Sequence, residues 1–480
     1  MSRSDSELAR LDATAQAELV RRGEVSPVEL VDAAIDRIER LDGELNAVIH
    51  PRFEKARAEA ADPALPDGPF RGVPITLKDL WPRSAGDPFH QGINALKEAG
   101  HTAEADSHLV ENYRAAGFVI VGRTNTPELG LAATTEPHAH GASRNPWNTD
   151  FGTGGSSGGA AASVAAGMTP VANASDGGGS IRIPAAMCGL VGLKPSRGRM
   201  PMGPHKDEWT SSIEHVVCHT MRDSAAVLDA TSVHRMSDGV VAPYPERPFL
   251  SYVGEDPGRL RVGVCTDIRP GVTLAPECRD IAVKVGEILE RMGHDVSSGR
   301  PDALVAPPDG SMGVLSTAGT AARLAEVAEI IGRPLVEGDV EPTTWELAQR
   351  AEGITGIAVL QAEASQHAFR RQMLSWWEDG WDLLVTPTTA QPAPRIGELA
   401  SDPDEPFGSL LKQIPYAVYT SAFNVSGQPG LSVPAGVSAD GVPLGVQLVA
   451  AYGREDLLIQ VGAQLEAELD WASRRAPIHA

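Results

Sequence analysis

Two glycine–serine clusters constrain this chain more than any other feature. The first is Gly154-Gly155-Ser156-Ser157-Gly158-Gly159, and the second is Ser175-Asp176-Gly177-Gly178-Gly179-Ser180-Ile181-Arg182. Ser180 follows Ser156 by 24 residues, and each cluster opens onto an apolar segment. Glycine reaches backbone conformations closed to other residues and lets a substrate approach the main chain. Three glycines before a serine can aim several N–H groups at one point, as acyl transfer requires of an oxyanion hole. Two such clusters so close together, each running into apolar sequence, do not suit a flexible linker.

Around them the chain alternates short apolar strands with helices, which predicts an α/β fold. Ser26, Pro27 and Glu29 form a helix start, and Val31, Ala34, Ile35, Ile38 and Leu41 share one face, predicting a helix over 26–41. Strands are predicted over 72–79, 118–122, 260–264, 383–385, 431–434 and 445–449, and helices over 109–116, 160–167, 277–293 and 317–331. Residues 231–260 read as a surface connection and 396–412 as an irregular loop. No break marks a second domain. The expected organisation is one domain over 1–480: N-terminal helices (8–60), a core (70–230), a variable pocket region (231–380) and a C-terminal part of the sheet (381–480).

Lys78 ends the apolar run Val73-Pro74-Ile75-Thr76-Leu77. A lysine there normally snorkels to solvent. If buried, its pKa falls and it becomes a base. Asp176 and Arg182, flanking Ser180, suit an ion pair that braces the loop. Trp81, Trp147, Trp209 and Trp377 are read as core before pocket.

Charge narrows the partners. With 41 basic and 63 acidic side chains the net charge is −22, which disfavours nucleic acid and anionic membrane. Cys188, Cys218, Cys265 and Cys278 match no metal or disulfide spacing and read as free thiols of a reducing cytoplasm. Met1 to Arg10 is polar, without an apolar signal region. A cytoplasmic protein is expected, with a second copy of the chain left open as a partner.

The motifs resemble the amidase signature family. Gly72 to Asp79, Gly154 to Gly159 and Asp176 to Ala185 carry the likeness. It continues through Cys188 to Pro195, Phe423 to Pro429 and Asp440 to Gln447. The resemblance implies a single α/β/α domain around a large mixed sheet and hydrolysis of an amide through an acyl-enzyme. It implies Ser180 as nucleophile, Ser156 as relay in a cis peptide, and Lys78 as base. The oxyanion hole would be the N–H groups of Gly177, Gly178, Gly179 and Ser180. Neither cofactor nor metal is implied. Within the family, Asp12 to Val20, Asn145 to Asn148, Gly380 to Leu384 and Ala450 to Asp456 are similar to the nylon-oligomer amidases. Those carry a cysteine in the acyl pocket where this chain has Gly319, which predicts a wider site. An apolar linear, cyclic or aryl amide is the expected substrate.

Three other readings compete. Gly154 to Gly158 satisfies G-x-S-x-G, as does the frame shifted by one, and His367 follows several acids, as an α/β-hydrolase esterase requires. An amidotransferase-type subunit of the same family typically carries Gln where this chain has Ile183. A metal hydrolase has only His138-Ala139-His140, with no accompanying HExxH, and that segment reads as a polar loop.

Overall fold

The computed structural model describes residues 5–206, 211–306 and 310–480; Trp209 lies outside them. Eleven strands of the described residues form one mixed sheet. In chain order they are β1 (Val48–Pro51), β2 (Pro74–Lys78), β3 (Val119–Thr124), β4 (Val171–Asp176), β5 (Val191–Lys194) and β6 (Ile213–Cys218). They continue with β7 (Arg261–Val264), β8 (Asp295–Ser298), β9 (Leu383–Pro387), β10 (Gly430–Val437) and β11 (Pro443–Val449). Their order across the sheet is β1-β3-β2-β4-β6-β5-β10-β11-β9-β7-β8. β3, β2 and β4 are parallel, as are β9, β7 and β8, and the strands between pair antiparallel.

Successive residues of these strands enter different cores, as the period of two demands. Ile120 faces one cluster and its neighbours Val119 and Val121 another. Val216 and Cys218 lie on one side, Val217 on the other. Leu383 and Val385 share the first face, whereas Leu384 packs on the second with Phe423 and Met373. Helices therefore cover both faces, giving the expected α/β/α layering. The strands are buried on both sides, so they read as continuous apolar runs.

The expected elements form with small shifts. Ser26 caps the helix Pro27–Leu45, and a reciprocal bond runs from its backbone N–H to the Glu29 carboxylate at 2.8 Å. The helix expected over 317–331 begins earlier and spans Ser311–Ile331. Residues 396–412 are not wholly irregular: Pro406–Lys412 is helical, with proline in the first turn, where its missing N–H costs nothing. All four cysteines are free and buried. No helix among the described residues is long and apolar enough to cross a membrane.

The helix Gly158–Ala165 follows the first serine cluster and lies against backbone. A Cβ on Gly159 would stand 2.5 Å from the Asn125 nitrogen and 2.7 Å from the Ala47 oxygen, neither of which can swing away. Gly43, inside the helix Pro27–Leu45, has nothing within 4 Å of the same atom. Gly159→Ala is expected to destabilise by about 1–3 kcal/mol, and Gly43→Ala to stabilise by about 0.5–1 kcal/mol. Urea midpoints check both signs.

Candidate active site

β2 and β4 run parallel, with Ile75 opposite Val171 and Thr76 opposite Ala172. Their carboxyl ends therefore bring Lys78, Ser175 and Asp176 to one edge, where open α/β sheets place their sites. The turn carrying Ser156 and Ser157 and the loop Gly177 to Ser180 close over this edge.

Lys78 is fully buried. Its Nζ lies 2.7 Å from Ser156 Oγ, 2.8 Å from Ser175 Oγ and 3.0 Å from Ser157 Oγ. Burial pushes its pKa down, against the nearby carboxylates of Glu214 and Asp176, to about 7. A neutral amine has one lone pair and two hydrogens, which matches three hydroxyl partners. The Ser157 hydroxyl donates to the Ser175 carbonyl at 3.1 Å, so it accepts from Lys78. Ser157 and Ser175 escape sequence reasoning because only proximity to Lys78 gives them a part. Burial likewise raises Glu214, against Lys206, Asn173 and Lys78, to about 7.

Ser180 Oγ accepts the backbone N–H of Ser156 at 3.0 Å. The three expected residues thus meet, with one correction. The cis peptide expected at Ser156 is absent: among the described residues only Gly203–Pro204 is cis. Gly154 and Gly155, in left-handed backbone at φ 71° and 56°, make the turn instead. The Ser156 N–H faces Ser180, while its hydroxyl meets Lys78.

The second loop is pinned from inside. The Asp176 carboxylate accepts the Gly179 N–H at 2.7 Å, Arg182 Nε and Nη2 at 2.8 Å each, and Asn424 Nδ2 at 2.8 Å. Arg182 also donates to Asn424 Oδ1 and Gln447 Oε1, both at 2.6 Å. Burial would raise the Asp176 pKa, but Arg182, Lys194 and Asn424 hold it down to about 2. The Gly179 N–H is therefore engaged, and Gly177, Gly178 and Ser180 line the open space.

That space is a cavity of about 460 Å³, a size suited to a small molecule. Ile183, Leu304, Met312, Phe369 and Ile414 make it apolar, and Arg269 and Gln366 add polar groups. No tryptophan lines it among the described residues, but Trp81, Trp147 and Trp377 are half-buried rather than core, and Trp81 lines a separate pocket with Lys206 and Arg323. Ser316 lines it, whereas Gly319, one turn further on, is exposed with nothing within 4 Å of a built Cβ. His367 lines a neighbouring cavity with Glu363 and Arg370. Ser156 and Ser157 both contact Lys78, so the α/β-hydrolase arrangement does not form.

A buried lysine among serine hydroxyls, set under a glycine-rich serine loop on a mixed sheet, defines the class of amidase signature hydrolases. The family model described as Amidase matches residues 29–459, and the chain belongs to that family. It is an amide C–N hydrolase. The chain is 46% identical to the 6-aminohexanoate-cyclic-dimer hydrolase of Paenarthrobacter ureafaciens, over 97% of this chain and 96% of that one. A solved 6-aminohexanoate cyclic dimer hydrolase complexed with substrate matches with a TM-score of 0.94 and 45% identity, over 98% of this chain and 100% of that one. A bacterial aryl acylamidase matches with a TM-score of 0.85 and 28% identity, over 97% and 99%.

Breaking the Asp176–Arg182 pair strands a buried charge. Asp176→Asn is expected to cost about 3–5 kcal/mol. Adding Arg182→Met should cost less than the sum of the two single changes. Denaturant unfolding of the single and double variants measures the coupling.

Proposed function

We propose that Ser180 attacks the substrate carbonyl, Ser156 relays its proton and Lys78 is the base. The observation that carries this is the burial of Lys78, with a pKa brought to about 7, against Ser156 Oγ at 2.7 Å. Ser180 passes its proton to Ser156 as Ser156 passes one to the Lys78 lone pair. In the resting geometry Ser180 Oγ rests on the Ser156 N–H. The contact between the two hydroxyls forms as the carbonyl enters, since such bonds tighten on binding. The N–H groups of Gly177, Gly178 and Ser180 hold the oxyanion, while that of Gly179 is kept by Asp176. The proton returns through Ser156 to the leaving amine, and water releases the acid. No step calls on a cofactor or metal.

The substrate we infer is an amide with an apolar, flexible acyl part: a 6-aminohexanoate oligomer or an anilide. The 46% identity to the cyclic-dimer hydrolase and the apolar cavity support it. Gly319 points away from the cavity, so the wider acyl site expected from it does not form and it gives no preference for a larger or aryl amide over the cyclic dimer. Ile183 in the serine loop tells against glutamine and the amidotransferase role. A net charge of −22 fits a small neutral or cationic substrate in the cytoplasm, and one continuous sheet supports reading 1–480 as a single domain.

Only the neutral amine can accept a proton, so kcat/KM should fall as pH drops below about 7, by about tenfold per unit, and level off above. The Glu214 carboxylate favours the protonated lysine, so Glu214→Gln should move this acid limb to lower pH. Lys78→Ala should lose roughly 10²–10⁴ in rate or more. pH–rate profiles of the three proteins decide; a near-normal Lys78→Ala would remove the base.

A panel of 6-aminohexanoate oligomers, p-nitroanilides, glutamine and asparagine tests the substrate class. Oligomers or anilides should be cleaved and glutamine poorly. Ser180→Ala should abolish turnover and fluorophosphonate labelling. Faster cleavage of glutamine than of every apolar amide would overturn the substrate while leaving the catalytic assignment intact.

A further inference from the structure

Three histidines far apart in sequence meet beside the carboxyl end of β2. His50 lies in β1, His90 in the loop after β2, and His140 in the loop before residues 144–152. One ring nitrogen of each lies within 4.8 Å of the other two. The ring centroids are 4.4 Å (50–90), 5.2 Å (50–140) and 5.8 Å (90–140) apart. His90 is 7% exposed and the His50 side chain 11%. Nε2 of His50, Nδ1 of His90 and Nε2 of His140 are buried without a hydrogen-bond partner. Buried polar atoms usually find a partner, and each of these three clustered rings holds one that has none.

We propose that His50, His90 and His140 bind one divalent transition-metal ion of the zinc type, at a site apart from the serine–lysine centre. Neutral imidazole is the commonest ligand for such ions. Three nitrogens suit tetrahedral zinc with a fourth position left for water. Burial lowers the pKa of His90, against Asp79 and with His50, His101 and Lys97, to about 4. Burial does the same to His140, with His50, Lys97 and His90 and against Asp79, again to about 4. Both rings therefore offer lone pairs at neutral pH. Zinc–nitrogen bonds of about 2.0–2.1 Å ask the rings to close by roughly an ångström, within the reach of side-chain rotation.

The backbone already holds the three segments in place. His50 pairs with Arg123 across β1 and β3. The His90 N–H donates to the Asp79 carboxylate at 3.1 Å, and the His140 carbonyl accepts Asn46 Nδ2 at 2.9 Å. Asp79 lies 3.7 Å from His50 Nε2, beyond hydrogen-bond reach but close enough to favour a cation. Arg123, paired with Asp79 at 3.0 Å, and Lys97 are the opposing charges. A bound ion would tie three segments together beside Asp79, the residue after Lys78. Ligands 40 and 50 residues apart make no sequence motif, which is why His140 reads as part of a polar loop.

The test uses the full-length protein, stripped with a chelator and dialysed. Zn²⁺ is titrated by calorimetry and Co²⁺ by visible absorption. One equivalent should bind, with Co²⁺ d–d bands and a raised melting temperature. His90→Ala and His50→Gln should each weaken binding by about 100-fold or more, the upper end of the loss seen for supporting residues. His138→Gln, an exposed neighbour, should not change it. His140→Phe keeps a ring against His90 and removes both nitrogens, so it serves if another variant fails to fold. Absence of stoichiometric binding, or binding that survives His90→Ala or His140→Phe, overturns the site.

Discussion

An amine sealed from water is unstable as a cation unless the protein supplies charge in return. Lys78 is sealed by β2, β4 and the turn at Ser156, and the carboxylates near it only partly offset that cost. The result is an amine poised near neutrality, with hydroxyls on three sides. The surrounding architecture maintains this state. β2 ends at the lysine, β4 delivers Ser175, and the small-residue helix after Ser157 is buried along its whole length beside them.

The second requirement is a rigid peptide loop ahead of Ser180. Glycines alone would leave it loose. Asp176 supplies the missing order by collecting donors from its own loop, from Arg182 and from Asn424. Arg182 extends the network to Gln447 on β11. Residues from separate motifs are thus joined in a single buried charge network, in which each hydrogen bond is strengthened by exclusion of water.

Much of this was legible in the sequence where local chemistry decides structure. Ser26 and Glu29 announce a helix start, and the apolar runs before Lys78 and at Val119 to Val121 announce buried strands. Ser156, Ser180 and Lys78 stood out because glycine clusters and an end-of-strand lysine are unusual. What escaped depends on distance in space. Ser157 and Ser175 look like ordinary small residues until Lys78 lies beside them. The left-handed backbone at Gly154 and Gly155 is a property of the folded turn, which composition does not reveal. The helix Pro406–Lys412 was hidden because its proline reads equally as a turn or as a helix start.

The Asp176–Arg182–Gln447 network also carries a clock. Arg182 finds Asn424 and Gln447 only after 242 and 265 further residues of chain. Synthesis at about 5–20 residues per second delays that meeting by roughly 13–53 s after Arg182 is made. Through that interval only the local bonds of Asp176 to Gly179 and Arg182 are available to hold the loop before Ser180. The buried charge network is therefore completed only when the last strands of the sheet dock.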